Sequence, residues 1–176
     1  MGFHSASAHN IHDYTWYGSD IANLQVHLVR PEKESKDAKF VITNNAKTIF
    51  AESETFTNIY DNQRWALGLR VYPEGYPFIG TVVTSSNPSY KAELYGVSHN
   101  LGEVRDEFTI TASMNYAVGS AMLTSAKRFY AGCEATNFTG SAHQYSDLKI
   151  AAYRLWYDKI DDIVFDPLDL KLRDAC

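Results

Sequence analysis

Two short stretches carry the residue types that bind ligands or react with them. In "YDNQRW", Asp61 and Asn62 offer oxygen ligands of the kind a hard cation takes, immediately ahead of a strand-like run. Arg64, Arg70, Tyr72 and Tyr76 follow closely and supply hydrogen-bond donors and aromatic faces, a stacking platform for a sugar ring. The competing reading of Asp61-Asn62 is an exposed turn. The second stretch is Glu52-Ser53-Glu54. Cleaving a glycosidic bond takes two carboxylates flanking it, one as acid and the other as nucleophile or base. On a strand, residues two apart point the same way, so Glu52 and Glu54 meet the spacing, but no third acid follows in register. The acids of "EVRDEF" and "DKIDD" fall at an expected turn and an expected helix start, where solvated or capping carboxylates belong.

Nucleophilic chemistry has no support. The histidines at 4, 9, 12, 27, 99 and 143 are scattered, no Gly-x-Ser-x-Gly occurs, and nothing near Cys133 activates a thiol. His4, His9 and His12 lie close together in an N-terminal stretch rich in His, Ser and Asn. A polar arm accounts for them better than a metal site, which needs its ligands held in geometry. Cys133 and Cys176 have no CxxC spacing; they read as a buried small hydrophobe and a free terminal thiol.

The elements that must position these groups are strands. "RWALGLRVY" sets Trp65, Leu67, Leu69 and Val71 on one face and Arg64, Ala66, Gly68 and Arg70 on the other. "EFTITASM" alternates Phe108, Ile110, Ala112 and Met114 with Thr109, Thr111 and Ser113, and "SYKAELYGV" behaves alike. "AKFVIT" and "AKTIFAES" flank Asn44-Asn45, a dipeptide tolerant of positive φ and hence a hairpin turn. "YPFIGTVVT" suits a central strand, and "KRFYAGC" and "SDLKIAAYRLWYD" complete the set. Strands of this number and rhythm predict an all-β, two-sheet antiparallel sandwich. Helical signal is sparse: Ile160, Ile163 and Val164 predict a short C-terminal helix, while periodicity leaves "SDIANLQVHLV" open between helix and strand.

Composition agrees. Aromatic residues are 14% of the 176 and charged residues 21%, which favours strands in a globular domain that buries about two-thirds of its unfolded surface. A net charge of -5 without a basic cluster excludes a nucleic-acid footprint, and "RPEKESKDAK" (30–39) reads as a solvated loop of mixed sign. No apolar run is long enough to insert in a membrane, and the N-terminus lacks the basic start and apolar core of a signal peptide. The expected division is an N-terminal arm (1–20), one domain (21–166) and a C-terminal tail or linker (167–176).

The last third has a recognisable order: Ala131-Gly132 after an aromatic strand, "NFTG" with Phe138 and Gly140, then Leu148, Ile150, Arg154, Trp156 and Ile160. This resembles the C-terminal signature of laminin-G-like domains in the concanavalin A-like lectin/glucanase superfamily. The resemblance implies a jelly roll closed by Gly132, Phe138, Gly140, Arg154 and Trp156, with more strands than the pattern above identifies. Domains of that kind often hold a calcium ion at a sandwich edge, for which Asp61 and Asn62 are the candidates here, although no calcium motif matches residue by residue. Asn137-Phe138-Thr139 also fits a glycosylation acceptor, but lies inside the fold signature.

The expectation that follows is a non-catalytic, lectin-like module for carbohydrate binding or cell adhesion. Its partner is a glycan or protein ligand, in a larger extracellular or virion structural protein. The alternative from another class is a purely structural assembly subunit of a phage or viral particle, docking its neighbours through arm and tail. A glycoside hydrolase ranks behind both.

Overall fold

The computed structural model describes residues 2–10, 15–18, 24–44, 48–76, 87–124, 127–131, 133–135, 142–145, 149–150 and 152–155. In chain order these form β1 (Gly2–Asn10), β2 (Thr15–Gly18), β3 (Leu24–Val29), β4 (Lys39–Thr43), β5 (Phe50–Glu52), β6 (Trp65–Pro73), β7 (Tyr90–Asn100), β8 (Glu103–Met114), α1 (Tyr116–Thr124), β9 (Lys127–Tyr130), β10 (Cys133–Ala135) and β11 (Ala142–Tyr145). One sheet runs β2-β1-β3-β4-β5 with β9 along β1; a second runs β6-β7-β8; β10 and β11 form a separate pair. Among the described residues every ladder is antiparallel. The fold is all-β with two sheets facing one another.

The period-2 patterns position the core as expected. Leu24 and Val26 of β3 and Phe40 and Ile42 of β4 are buried against Leu94, Phe108, Ala112 and Met114 of the second sheet. Trp65, Leu67, Leu69 and Val71 of β6 pack half-buried on the same cluster. Phe40 stacks on Phe108 at 4.7 Å between ring centroids, and Phe56 and Trp65 close the group at 5.4 Å and 5.9 Å from Phe108. These rings join the sheets, because aromatic faces and edges fill the gap between them at native density.

Three local devices set the registers. Asn44 closes the β4–β5 turn: its Oδ1 accepts from the amides of Thr48 (2.8 Å) and Ile49 (3.1 Å). That fulfils the turn expected at Asn44, while Asn45 lies outside the described residues. Past Glu52 the ladder is interrupted at Ser53, whose Oγ accepts from the Phe40 amide at 2.9 Å; pairing resumes at Ala38 and Phe56. The β7–β8 hairpin turns through Leu101 (φ 53°) and Gly102 (φ 93°), the two left-handed residues of a tight hairpin.

Gly96 of β7 stands opposite Phe108. A Cβ there would lie within 2.7 Å of the ring's Cζ and 3.0 Å of Leu67 Cδ2, and the ring is pinned by Phe40. Gly96→Ala is therefore expected to cost about 1–3 kcal/mol through overpacking, read as a lower urea midpoint with unchanged m-value.

Several expectations change. The stretch left open between helix and strand forms β3 at Leu24–Val29. The N-terminal stretch expected as an arm is strand at Gly2–Asn10, laddered to β3 and β9 of the same chain. α1 has no counterpart in the sequence reading; Asn115 caps it, its Oδ1 accepting from the Val118 amide at 2.9 Å, and Met122 is buried. The long strand expected over 146–158 is corrected: residues 149–150 and 152–155 have no strand structure, and Arg154 and Leu155 are exposed. The run had strand-like composition, but β11 takes up the pairing with β10 earlier, at 142–145. Residues 77–86, the expected short C-terminal helix at 160–164, and Gly132, Phe138, Gly140 and Trp156 lie outside the described residues. Among the described residues no helix is long and apolar enough to cross a membrane.

Candidate functional site

The six predicted ligand residues fall in two places. Asp61, Asn62 and Arg64 belong to the loop leading into β6, and all three are exposed. Arg70 and Tyr72 lie on the outer face of β6, in register with Glu93 and Lys91 of β7, and Tyr76 ends the turn that follows. The structure thus separates them by the length of a strand, because the loop meets one end of β6 and Tyr76 the other.

The loop is tightly built. The buried Ile59 anchors it to the core. Asn58 and Asn62 adopt left-handed backbone (φ 56° each), which asparagine tolerates because its short amide bonds locally. The Asp61 amide donates to Asn58 O at 2.9 Å, the Asn58 amide to Asp37 Oδ1 at 2.8 Å, and the Tyr60 amide to Lys36 O at 3.2 Å. Gln63 Nε2 donates to Thr57 O at 3.1 Å, and its Oε1 accepts from Trp65 Nε1 at 3.2 Å. These bonds fasten the loop to the segment 30–37, the mixed-charge run that sequence alone marked as a solvated loop.

Across this seam, the Arg30 guanidinium lies 3.5 Å from the Tyr60 ring centroid and donates to Lys33 O at 3.0 Å. Lys36 Nζ sits 2.9 Å from Asp61 Oδ1 and 3.1 Å from Oδ2. The result is a pre-ordered surface of one half-exposed aromatic ring, two cations and a carboxylate, with Asn62 and Arg64 alongside. Both Asp61 oxygens already face an ammonium, so a cation there has to displace Lys36. Among the described residues no group of three or more His, Cys, Asp or Glu gathers to hold a metal ion. Arg30 and Lys36 cannot be joined to Tyr60 and Asp61 from sequence, because the two runs lie 25 residues apart. The readable signal was an aromatic-Asp-Asn turn and a Lys/Arg-rich loop of compatible length.

Arg70 and Tyr72 serve a different purpose. Arg70 Nη2 lies 2.5 Å from Glu93 Oε1, with 7% and 15% of the two side chains exposed, and the Tyr72 hydroxyl donates to Glu93 Oε2 at 2.9 Å. The buried Tyr95 lies beside Arg70, 5.9 Å from ring centroid to guanidinium, and its hydroxyl donates to Glu107 Oε1 at 2.8 Å. This network holds β6, β7 and β8 together from their outer side.

The candidate acids are also placed. Glu52 pairs with Lys39 Nζ at 2.7 Å, while Glu54 lies past the end of β5 beyond the Ser53 interruption. They do not share a continuous strand face. Glu74 accepts from the Ser89 hydroxyl and faces Lys91, and these partners hold its carboxyl below the ordinary value. On the N-terminal strand, His4 is in register with Arg128 and His9 with Trp16, in different ladders; His12 lies outside the described residues.

Compared with known proteins, the chain matches no protein-family model, no curated protein and no solved structure.

Proposed function

We propose that this chain is a non-catalytic, carbohydrate-binding β-sandwich module that engages its ligand through the joined loops 30–37 and 57–64. The observation that carries this reading is the Arg30–Tyr60 stack beside the Lys36–Asp61 pair, on loops immobilised by backbone bonds. An ordered aromatic edge with charged donors and an acceptor suits hydroxyl-rich rings, and pre-ordering lowers the entropic cost of binding. A laminin-G-like jelly roll in an extracellular or virion-surface protein is the setting that accords with it, on the strength of the sequence resemblance and the two facing sheets.

A glycan array probed with the whole chain tests the reading, followed by titration of any hit. Tyr60→Ala and Arg30→Ala are each expected to weaken binding about tenfold or more, corresponding to roughly 1.4 kcal/mol or more. Lys36→Ala is expected to leave folding stability within about 1 kcal/mol, since exposed ion pairs contribute little. An array without hits, or a hit indifferent to Tyr60 and Arg30, overturns the assignment in favour of a structural subunit.

A further inference from the structure

We propose that the outer edge of β8 is a docking strand for β8 of a second copy, joining two three-stranded sheets into one across a twofold axis. This goes beyond the loop site and uses none of its residues. β8 runs 12 residues, and among the described residues it has a ladder on one side alone, with β7. β5 approaches it from the facing sheet without forming a ladder.

An edge of this length with no ladder among the described residues is normally protected by lysine, proline or an inward charge. From Phe108 to Met114, the sequence "FTITASM" has none of these. It is uncharged and β-favouring, the composition that pairs with another strand when left exposed. The charges of β8 are confined to its start, Glu103 and Arg105 to Glu107.

The same distribution selects a second copy as the occupant. Antiparallel pairing centred on Thr111 sets Thr109 opposite Ser113, Ile110 opposite Ala112 and Phe108 opposite Met114. Thr109, Thr111 and Ser113 are the exposed residues of this run, and Thr–Thr and Thr–Ser neighbours are favourable cross-strand pairs. Phe108, Ile110, Ala112 and Met114 continue the apolar layer across the axis. The acidic start of each strand then runs out toward Asn115 and the first turn of the partner's α1, which has no acidic residue of its own. Asp106 and Glu107 are thus complementary to the positive end of that helix. Centring the pair on Asp106 or Glu107 instead opposes like charges and is disfavoured.

Sedimentation equilibrium of the whole chain across a concentration series is expected to show a species of twice 19.8 kDa. Thr111→Lys puts two ammonium groups face to face at the axis and is expected to abolish that species with the circular dichroism spectrum unchanged. A second variant is independent of any folding defect from lysine. Thr111→Cys, in a background with Cys133→Ser and Cys176→Ser, is expected to form a covalent dimer on mild oxidation. Ser113→Cys in the same background is not. A monomer at every concentration, an assembly larger than two, a dimer that survives Thr111→Lys, or equal crosslinking at 111 and 113 each overturns the proposal.

Discussion

Phe108→Ala is expected to remove about 3–5 kcal/mol of folding stability, a large share of the roughly 5–15 kcal/mol typical of a domain. Phe108 sits where the two sheets meet: it stacks on Phe40 and lies against Phe56 and Trp65. Truncating it leaves a void walled by Phe40 on β4, Trp65 on β6 and Phe56 at its bridge to Ala38, so little can collapse into the space. Gly96 makes the site unusual, because the strand opposite has no side chain of its own and Phe108 covers it. Combining Phe108→Leu with Gly96→Ala is therefore expected to cost less than the sum of the single changes. A double-mutant cycle by urea denaturation reads that coupling, and strict additivity refutes the packing relation.

Glu93→Ala is expected to cost about 3–5 kcal/mol, since it leaves the Arg70 guanidinium charged and buried with its closest carboxylate gone. Tyr72→Phe removes one hydrogen bond to the same carboxylate and is expected to cost about 1 kcal/mol. The informative variant is the double change Arg70→Met with Glu93→Leu. Two apolar residues of similar bulk need no counter-charge, so the pair is expected to regain most of the loss. Thermal unfolding of the three variants decides it: a double variant as unstable as Glu93→Ala rules out loss of the Glu93 carboxylate beside a buried cation as the cause.

Strand alternation was legible wherever one face is apolar and the other polar. The inward faces of β6 and β8 and of residues 90–94 in β7 are as expected, with Phe40, Trp65 and Phe108 meeting between the sheets; the opposite face is also covered, with Arg70, Tyr95 and Val97 buried. The turn at Asn44 was legible, although Asn44 works through its side-chain oxygen on the Thr48 and Ile49 amides and not through the positive φ expected of it. α1 was not, because of its nine residues it buries Gly119 and Met122, leaving too weak a period to stand out. The strand expected across 146–158 failed for another reason: alternation and aromatics are present, yet residues 149–150 and 152–155 have no strand structure, since alternation does not by itself supply a ladder partner.

The candidate site divides along the same line. Residue type marked Asp61, Asn62 and Arg64 as surface polar groups, and they are exposed. Grouping them with Arg70 and Tyr72 depended on nearness in sequence, which a strand converts into separation along its length and by face. Arg70 points to a carboxylate on the neighbouring strand, and the partner of Asp61 is Lys36, from a different loop.

By itself, the sequence determined the class of the fold and the inward face of its main strands, since both follow from the period-2 placement of apolar side chains. The tertiary structure alone decided which charges neutralise each other and which loops are fastened together. Those depend on which strands become neighbours, and hydrophobic alternation says which way a side chain points without saying what it will meet.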